Sequence, residues 1–553
     1  MASSDRTLTH PTLDLSLRGK STASSVQFRN LKYARIPARY QDSIADDTLN
    51  PGQDGIVDAT KFGPSCPQKR GAQAWDLTLV GDVSLLYEQG QGETEAMDEF
   101  ECLHINVTTP KSVLERPTTQ EYRGLPVFVW VHGGGLSIGS NSWPQYDLQK
   151  FVDRSFEIGK PIVAVSINYR VGLFGFVAHE ELEARGNMGF KDQVLAFRWV
   201  RKHIAGFGGD PTDIVAAGES AGAISLSTLL CAEVGTEGLF DRVILMSGDV
   251  TLRKPRKMWW HQQMYKDQAA NLGIDYTEKT GLKTRLRDTD AETLTQQLPL
   301  AAHHCGHING DFLKEDVTST VLADGKRAEH KPAWCKEFVM GDTAHDGTVL
   351  KARILDHPQV LERLRAACSK YLTKSETERL LAAYKLADQS SPDQQRDALL
   401  RLASELRFHD PVCRAYKGWK TSSPTRAAFR YHFHIPNPFE GSFKDIASHE
   451  LDVAFLLQHF NDQLSEQHRQ LSQAMADQFL RYIHGEPWAA RGKVVVFANE
   501  GLIEVDEEEY DWKYRDGRGA VLDGIDGDRL WKVADMWQGV RSEDEEWEGF
   551  AKL

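Results

Sequence analysis

The sequence predicts an α/β protein with a large, mostly parallel central sheet flanked by helices. Residues 126–131 (PVFVWV), 162–167 (IVAVSI) and 242–246 (RVILM) are short, continuous apolar runs, a pattern typical of strands that are buried on both faces. Residues 193–203 carry apolar side chains at helical spacing between two of these runs. Because parallel strands need long crossover connections, which are usually helical, this alternation indicates an open α/β sheet in the first 250 residues.

The following region has a different character, because amphipathic stretches outnumber strand-like ones. Residues 360–372 have helical periodicity, whereas the short runs 338–340 and 428–434 resemble strands. We expect helical insertions over roughly residues 257–420, above the C-terminal edge of the sheet, where α/β proteins bind their ligands. No internal repeat or low-complexity linker divides the chain, so residues 1–553 are predicted to form a single domain.

Composition argues against several function classes. The chain has 553 residues, of which 41% are hydrophobic and 26% are charged, as in soluble globular proteins. Its net charge of −14 argues against nucleic-acid binding. No apolar stretch approaches the roughly 18 residues of a membrane span. We interpret the basic run 253–257 (RKPRK) as a solvated loop, and a targeting or binding patch is the alternative.

The two ends and the cysteines give an expectation about location. The first residues lack the apolar core of a signal peptide. The seven cysteines are odd in number and scattered, unlike a disulfide framework. We therefore expect a soluble, intracellular, cytoplasmic protein. The last residues, Ala551-Lys552-Leu553, resemble the Ser-Lys-Leu peroxisomal address, so peroxisomal import stays open.

The most informative motif is residues 218–222 (GESAG). An apolar run, 213–217, precedes it, and residues 224–230 have helical character. Strand, tight turn and helix form the setting of a nucleophile elbow, in which Ser220 occupies a strained turn. The flanking glycines let the strand and the helix approach without side-chain clash. The alternative is a glycine-rich loop with an ordinary surface serine.

A nucleophilic serine needs a base, a group that orients the base, and donors for the developing oxyanion. Residues 130–135 (WVHGGG) end a predicted strand with three glycines. Successive N–H groups without side chains can converge on one point, so this turn is predicted to supply the donors. A plain turn is the alternative.

Together, several segments resemble the type B carboxylesterase family, the esterase, lipase and cholinesterase group of α/β-hydrolases. Besides the elbow and the glycine turn, they are residues 28–40 (FRNLKYARIPARY), 62–68 (FGPSCPQ), 101–107 (ECLHINV), 187–199 and 207–211 (FGGDP). The resemblance covers most of the chain. It implies an α/β-hydrolase fold, hydrolysis of small-molecule carboxylic esters, and no cofactor.

The resemblance also indicates the partners of Ser220, because the family's triad runs serine, acid, histidine along the chain. Residues 338–347 (FVMGDTAHDG) match the acid segment and place Asp346 at the acid position, where family members often carry glutamate. Asp342 competes, but its spacing within the segment differs from the family's. Residues 448–455 (SHELDVAF) match the histidine loop, with His449 as the base.

Further roles follow only from the resemblance. It implies that the N–H groups of Gly134, Gly135 and Ala221 form the oxyanion hole. It also implies that Glu219 points into the pocket and tunes His449. A buried structural carboxylate is the alternative for Glu219.

Cys66 and Cys102 match the family's first disulfide, which closes a loop that contains Trp75. Trp75 either lines the pocket entrance or packs. Because we expect an intracellular protein, a reduced cysteine pair is the alternative. Residues 301–307 (AAHHCGH) raise the question of a metal, but zinc needs three or four such ligands in tetrahedral geometry and the family uses no catalytic metal, so we predict none.

Three functions remain at this point. The sequence favours a serine esterase that works through Ser220, His449, Asp346 and an acyl-enzyme. An acyltransferase or cyclase would use the same triad with an acceptor other than water, and the sequence does not separate it from the esterase. A non-catalytic cholinesterase-like binding protein is disfavoured, because all three triad residues are present. The oligomeric state and the natural ester are left open.

Overall fold

The computed structural model describes residues 5–89, 91–114, 123–274, 279–300, 302–386, 391–424 and 426–541. The predicted C-terminal address, Ala551-Lys552-Leu553, lies outside these residues. The strands are β1 (Arg6–His10), β2 (Leu15–Ser21), β3 (Ser25–Lys32), β4 (Ala34–Arg35), β5 (Ile44–Ala45), β6 (Ile56–Ala59), β7 (His104–Pro110), β8 (Leu125–Val131), β9 (Val163–Ile167), β10 (Ala178–His179), β11 (Ala184–Arg185), β12 (Gly209–Glu219), β13 (Arg242–Met246), β14 (Glu337–Thr343), β15 (Ala427–Phe433), β16 (Val494–Ala498) and β17 (Gly501–Val505).

The helices complete the set of regular elements in the described ranges. They are α1 (Ala72–Val80), α2 (Lys111–Leu114), α3 (Gln149–Glu157), α4 (Gly172–Phe176), α5 (Met188–His203), α6 (Ala221–Leu230), α7 (Met258–Asn271), α8 (Lys279–Asp288), α9 (Ala291–Gln297), α10 (Ser319–Ala323), α11 (Val360–Tyr371), α12 (Lys374–Ala383), α13 (Pro392–Ser404), α14 (Asp410–Ser422), α15 (Leu451–Leu457), α16 (Glu466–Ile483), α17 (Glu507–Arg515), α18 (Gly519–Asp523) and α19 (Gly527–Gln538). No described helix is both long and apolar enough to cross a membrane.

Thirteen of the described strands form one central sheet, in the order β1-β2-β3-β7-β9-β8-β12-β13-β14-β15-β16-β17, with β6 paired to β2. The pairs from β9 through β8, β12, β13, β14 and β15 to β16 are all parallel. Antiparallel pairs extend the sheet at both ends, from β1 to β9 on one side and between β16 and β17 on the other. The predicted α/β architecture, with a large and mostly parallel sheet, is confirmed.

The central strands are apolar on both faces because helices cover both sides of the sheet. Successive side chains of a strand point to opposite faces. In β8, Val129 and Val131 belong to one hydrophobic core, whereas Phe128 and Trp130 belong to another. The two cores hold the carboxyl ends of β8 and β12 side by side, with Val131 paired to Gly218 in the strand register.

Helices dominate the region of the predicted insertions. Eight described helices, α7 to α14, lie between Met258 and Ser422, together with strand β14. A third hydrophobic core is built largely from α11, α12, α13 and α19. This core packs beside the carboxyl edge of the sheet, since residues of the two regions line one cavity there.

Candidate active site

Ser220 occupies the tight turn between β12 and α6. Its φ of +51° and ψ of −117° are unusual for a residue other than glycine, and its N–H donates to the carbonyl of Met246 at 2.9 Å. A Cβ on Gly222 would lie 2.0 Å from the carbonyl oxygen of Val131, and one on Gly218 would lie 2.7 Å from the carbonyl carbon of Gly222. Both glycines are therefore required by close backbone approach, as the elbow prediction expects.

The glycine turn follows directly after β8. Gly134 and Gly135 have φ values of +97° and +60°, and a Cβ on Gly134 would lie 2.2 Å from the carbonyl oxygen of Ile138. In the described part of the chain, the N–H groups of Gly134, Gly135 and Ala221 donate to no protein acceptor. Such free donors beside the nucleophile are what an oxyanion site requires.

His449 is fixed by a buried acid. Its Nδ1 lies 2.6 Å from Oδ1 of Asp346, and both side chains are almost fully buried. The other oxygen of Asp346 accepts the N–H of Thr343 at 2.9 Å, and the hydroxyl oxygen of Thr348 accepts the N–H of His449 at 3.0 Å. These contacts leave Nε2 of His449 as the ring nitrogen that can exchange a proton with a nucleophile.

The competing acid, Asp342, has other partners. Its two oxygens lie 2.5 Å from Nδ1 of His432 and 2.7 Å from Nδ1 of His409. It makes no hydrogen bond to His449 within the described residues. The structure thus brings Asp346, and not Asp342, to the predicted base.

Glu219 lies on the other side of the imidazole. Its Oε1 is 2.9 Å from Nε2 of His449, without the alignment of a hydrogen bond. Burial raises the pKa of Glu219 to about 7, and the positive charge of His449 opposes that rise. Burial alone would lower the pKa of His449, but the charge of Glu219 and the hydrogen bond to Asp346 raise it well above its ordinary value.

Ser220 and His449 line the same cavity. Among the described residues the ring nitrogens of His449 contact Asp346 and Glu219, and no hydrogen bond joins His449 to Ser220. Catalytic hydrogen bonds in unliganded enzymes commonly tighten only when substrate binds. The cavity has a volume of about 300 Å³, and Gly134 and Gly135 form part of its wall. Trp75, which is 36% exposed, also lines it.

The cavity wall is mostly apolar, with charged groups of both signs. The acidic group is Asp76 and Glu450, and the hydroxyl of Tyr146 lies 2.9 Å from one and 3.0 Å from the other. Burial raises the pKa of Asp76 to about 6, and burial together with the charge of Asp76 raises that of Glu450 well above its ordinary value. The basic group is Arg253, Arg353 and Arg407. None of these five residues was predicted from the sequence to line the cavity, and Arg253 was placed in a solvated loop.

One expectation from composition is wrong. The basic run 253–257 is not a solvated loop, because Arg256 is 1% exposed and Lys254 is also buried. Lys254 pairs with Asp316 at 2.9 Å, and Arg256 pairs with Asp535 at 2.5 Å. These acids come from distant segments, so a local reading of charge could not place them beside the run.

Two described clusters have the residue types of a metal site: Asp342 with His409 and His432, and Glu315 with Glu329 and His330. In the first cluster both histidines already bond to the aspartate, and the charge of Arg515 opposes a further cation there. In the second, the exposed acids pair with Arg327. Hydrogen bonds and ion pairs account for both clusters, and neither lines the cavity that contains Ser220.

Cys66 and Cys102 are free, fully buried thiols in the structure. A shared hydrogen bond with Cys66, together with burial, raises the pKa of Cys102 well above its ordinary value. The thiol of Cys66 donates to the carbonyl of Val171 at 4.0 Å and that of Cys102 to the carbonyl of Glu99 at 3.8 Å, and the disulfide stays a prediction.

The arrangement as a whole has the parts that acyl transfer requires. It joins a serine on a strained turn, a histidine oriented by a buried acid, and free backbone donors. An apolar cavity gives a small molecule access to all three.

Comparisons with known proteins agree with this chemistry. A profile described as the carboxylesterase family matches residues 15–495. Lipase 3 of Yarrowia lipolytica is 29% identical over 503 residues, which cover 90% of this chain and 92% of that protein. Para-nitrobenzyl esterase of Bacillus subtilis is 30% identical over 284 residues, half of each chain. A solved thermophilic PNB esterase superposes with a TM-score of 0.70 at 20% identity, over 94% of this chain and 100% of that one, a likeness in fold.

Proposed function

Since the chain belongs to the carboxylesterase family and is a carboxylic ester hydrolase, we propose that Ser220, His449 and Asp346 cleave small esters through an acyl-enzyme. The observation that carries the proposal is the 2.6 Å contact between Nδ1 of His449 and Oδ1 of Asp346, beside the cavity that Ser220 lines. A histidine held in this way has one tautomer, and its Nε2, which faces Glu219 at 2.9 Å without a hydrogen bond, is the nitrogen that can accept a proton. That is the state in which imidazole acts as a general base.

In the first half of the reaction, Nε2 of His449 takes the proton of the Ser220 hydroxyl as Oγ attacks the ester carbonyl. The carbonyl oxygen becomes an oxyanion and receives the N–H groups of Gly134, Gly135 and Ala221. The carboxylate of Asp346 stabilises the imidazolium without taking its proton. Loss of one such oxyanion donor commonly costs roughly 3–4 kcal/mol of transition-state stabilisation.

In the second half, His449 returns the proton to the leaving alcohol, and Ser220 stays acylated. A water molecule then enters, His449 takes its proton, and the hydroxide attacks the acyl carbonyl. Collapse of the second tetrahedral intermediate releases the acid and restores Ser220. We propose water as the acceptor, and product analysis with and without a competing alcohol tests this choice.

The nucleophile is tested by labelling with a serine-directed fluorophosphonate, followed by mass spectrometry of the labelled peptide. We expect one adduct on Ser220 in the wild type and none in Ser220→Ala. Ser227→Ala is the matched control, because Ser227 lies on helix α6, which follows Ser220, and is outside the cavity wall. It should label like the wild type.

Two outcomes would contradict the proposal. One is a folded wild type that resists the probe and cleaves no p-nitrophenyl ester. The other is a Ser220→Ala variant that keeps wild-type turnover, which would assign the nucleophile elsewhere.

A further inference from the structure

Arg253 lies against the glycine turn, and no described residue forms an ion pair with it. A Cβ on Gly135 would lie 3.1 Å from Nη2 of Arg253, so the guanidinium reaches the turn that carries the proposed oxyanion donors. Its Nη1 is buried and has no hydrogen-bond partner in the described part of the chain. Within the described residues Arg253 takes part in no ion pair.

The charges around Arg253 are mainly positive. Arg353 and Arg407 line the same cavity. The nearby carboxylate is Asp535, whose oxygens already pair with Arg407 at 2.6 Å and with Arg256 at 2.5 Å. Burial, together with the positive charges of Arg353 and Arg407, lowers the pKa of Arg253 to about 9. Arg253 therefore remains a cation at neutral pH.

The acids on the cavity wall do not neutralise this cation. Asp76 and Glu450 share the hydroxyl of Tyr146, and they are not among the main charges that act on Arg253. The pKa values of both acids are raised, so the pair holds protons more readily than exposed carboxyls do. The basic and acidic groups are thus two separate parts of one wall.

Arg253 is half-buried, and its Nη1 is shielded from water with no partner among the described residues. Such a group is unfavourable, because it loses hydration and gains no ion pair. The cost falls when a ligand supplies the missing charge. A planar guanidinium fits a carboxylate with two parallel N–H···O bonds, and these bonds are stronger than those between neutral groups. The cavity, at about 300 Å³, is of the size that holds a small molecule.

We propose that Arg253 binds a carboxylate carried by the ester substrate, so that the enzyme prefers anionic esters over neutral ones of similar size. The inference rests on the proposed function, since it concerns the substrate of the same Ser220 site. Arg253 acts as a specificity-determining residue.

The test compares kcat/KM for two matched substrate pairs. The mono-p-nitrophenyl ester of glutaric acid against p-nitrophenyl pentanoate examines a carboxylate on the acyl side. The butyryl ester of glycolic acid against ethyl butyrate, followed by acid release, examines a carboxylate on the alcohol side. We expect the wild type to prefer the anionic member of one pair, which also identifies the side that faces Arg253.

The variant Arg253→Gln should lower the ratio of anionic to neutral kcat/KM roughly 10- to 100-fold, the range expected for hydrogen bonds to a charged group. Arg253→Lys keeps the positive charge but cannot form the two parallel N–H···O bonds of a guanidinium, so it should retain part of the preference for the anionic ester. Arg185→Gln is the matched control, because it removes the same charge at a residue that is 74% exposed and lies outside the cavity wall. Its ratio should equal that of the wild type.

Inhibition of the wild type by free glutarate and by glutaramide provides a test that needs no variant. Glutarate, which carries the carboxylates, should inhibit at the lower concentration. The inference is overturned if Arg253→Gln lowers kcat/KM equally for both substrates of a pair, or if the wild type has the lower kcat/KM for the anionic ester in both pairs. It is also overturned if glutaramide inhibits as strongly as glutarate. Hydrolysis of the neutral esters by the wild type, abolished in Ser220→Ala, would leave the proposed function standing in each of these cases. Absence of that hydrolysis would overturn the proposed function itself.

Discussion

Replacing Glu219 with glutamine is expected to move the acidic limb of the pH–activity profile to lower pH. Glu219 is fully buried, and its Oε1 is 2.9 Å from Nε2 of His449. As a carboxylate it favours the imidazolium and so raises the pKa of His449. Only neutral His449 can take the proton of Ser220. Removing the negative charge lets His449 stay neutral at lower pH, and glutamine keeps the volume of the side chain.

The size of the shift follows from the distance. Two unit charges 2.9 Å apart attract with about 6 kcal/mol at an effective dielectric constant of about 20. Glu219 itself has a pKa of about 7, so it is partly protonated where His449 titrates, and the two groups lose their protons as a pair. The net effect is therefore smaller than the full attraction. Opposite charges at such range commonly shift a pKa by about 1 to 3 units, and we expect that range here.

The assay is kcat/KM for p-nitrophenyl butyrate across the acidic and neutral range, read at the isosbestic wavelength of p-nitrophenol. Glu219→Asp is the matched control, because it keeps the charge but withdraws it by one methylene. Its acidic limb should fall between those of the wild type and Glu219→Gln. Thermal melts at each pH separate titration of activity from unfolding.

Two results would contradict a role of the Glu219 charge: an acidic limb that stays in place in Glu219→Gln, or one that moves to higher pH. The first result would mean that Glu219 is a neutral structural group throughout the titration of His449. The second would mean that Glu219 favours the neutral imidazole.

Three further predictions concern the same site and its wall. Asp346→Asn should lower kcat roughly 10⁴-fold while leaving the melting temperature near that of the wild type, measured by calorimetry. Gly134→Ala should lower kcat at least about 10²-fold by displacing the oxyanion turn, whereas Gly235→Ala, with a similar φ of +93° but open space, should keep its activity. The raised pKa of Asp76, about 6 against roughly 4 when unfolded, removes stability as the pH rises through about 6. As the pH rises from about 4 to about 7, the free energy of unfolding of Asp76→Asn should increase by up to about 3 kcal/mol relative to that of the wild type, as measured by chemical denaturation. The control Asp82→Asn, at an exposed position, should show no such increase.

The sequence predicted best those features that neighbouring residues determine. The elbow glycines are constrained by the backbone next to Ser220, and the apolar runs correspond to β8, β9 and β13. Helix α5 was predicted only from residue 193, although it begins at Met188. The missed turn contains Gly189, and glycine is a poor helix former. A Cβ on Gly189 would lie only 2.4 Å from the carbonyl oxygen of Arg170, so the close backbone contact requires glycine there.

Pairings between distant segments could not be predicted from the sequence. The burial of Arg256 depends on Asp535, and the acidic wall depends on Tyr146 joining Asp76 to Glu450. Local charge patterns carry no information about such partners, because folding brings them together from separate elements. The match of Asp346 to His449 was accessible because the family's chain order, rather than a local pattern, indicated it.

The register between β8 and β12 affects how the substrate specificity of such an enzyme can evolve. Val131 and Gly218 are paired across the two strands, so the backbone ladder sets the spacing between the proposed oxyanion donors after β8 and the proposed nucleophile after β12. Arg253 and Arg353 reach the cavity from outside that ladder. Mutations in those outer segments can therefore redirect the enzyme toward a new ester while its reactive geometry is inherited unchanged.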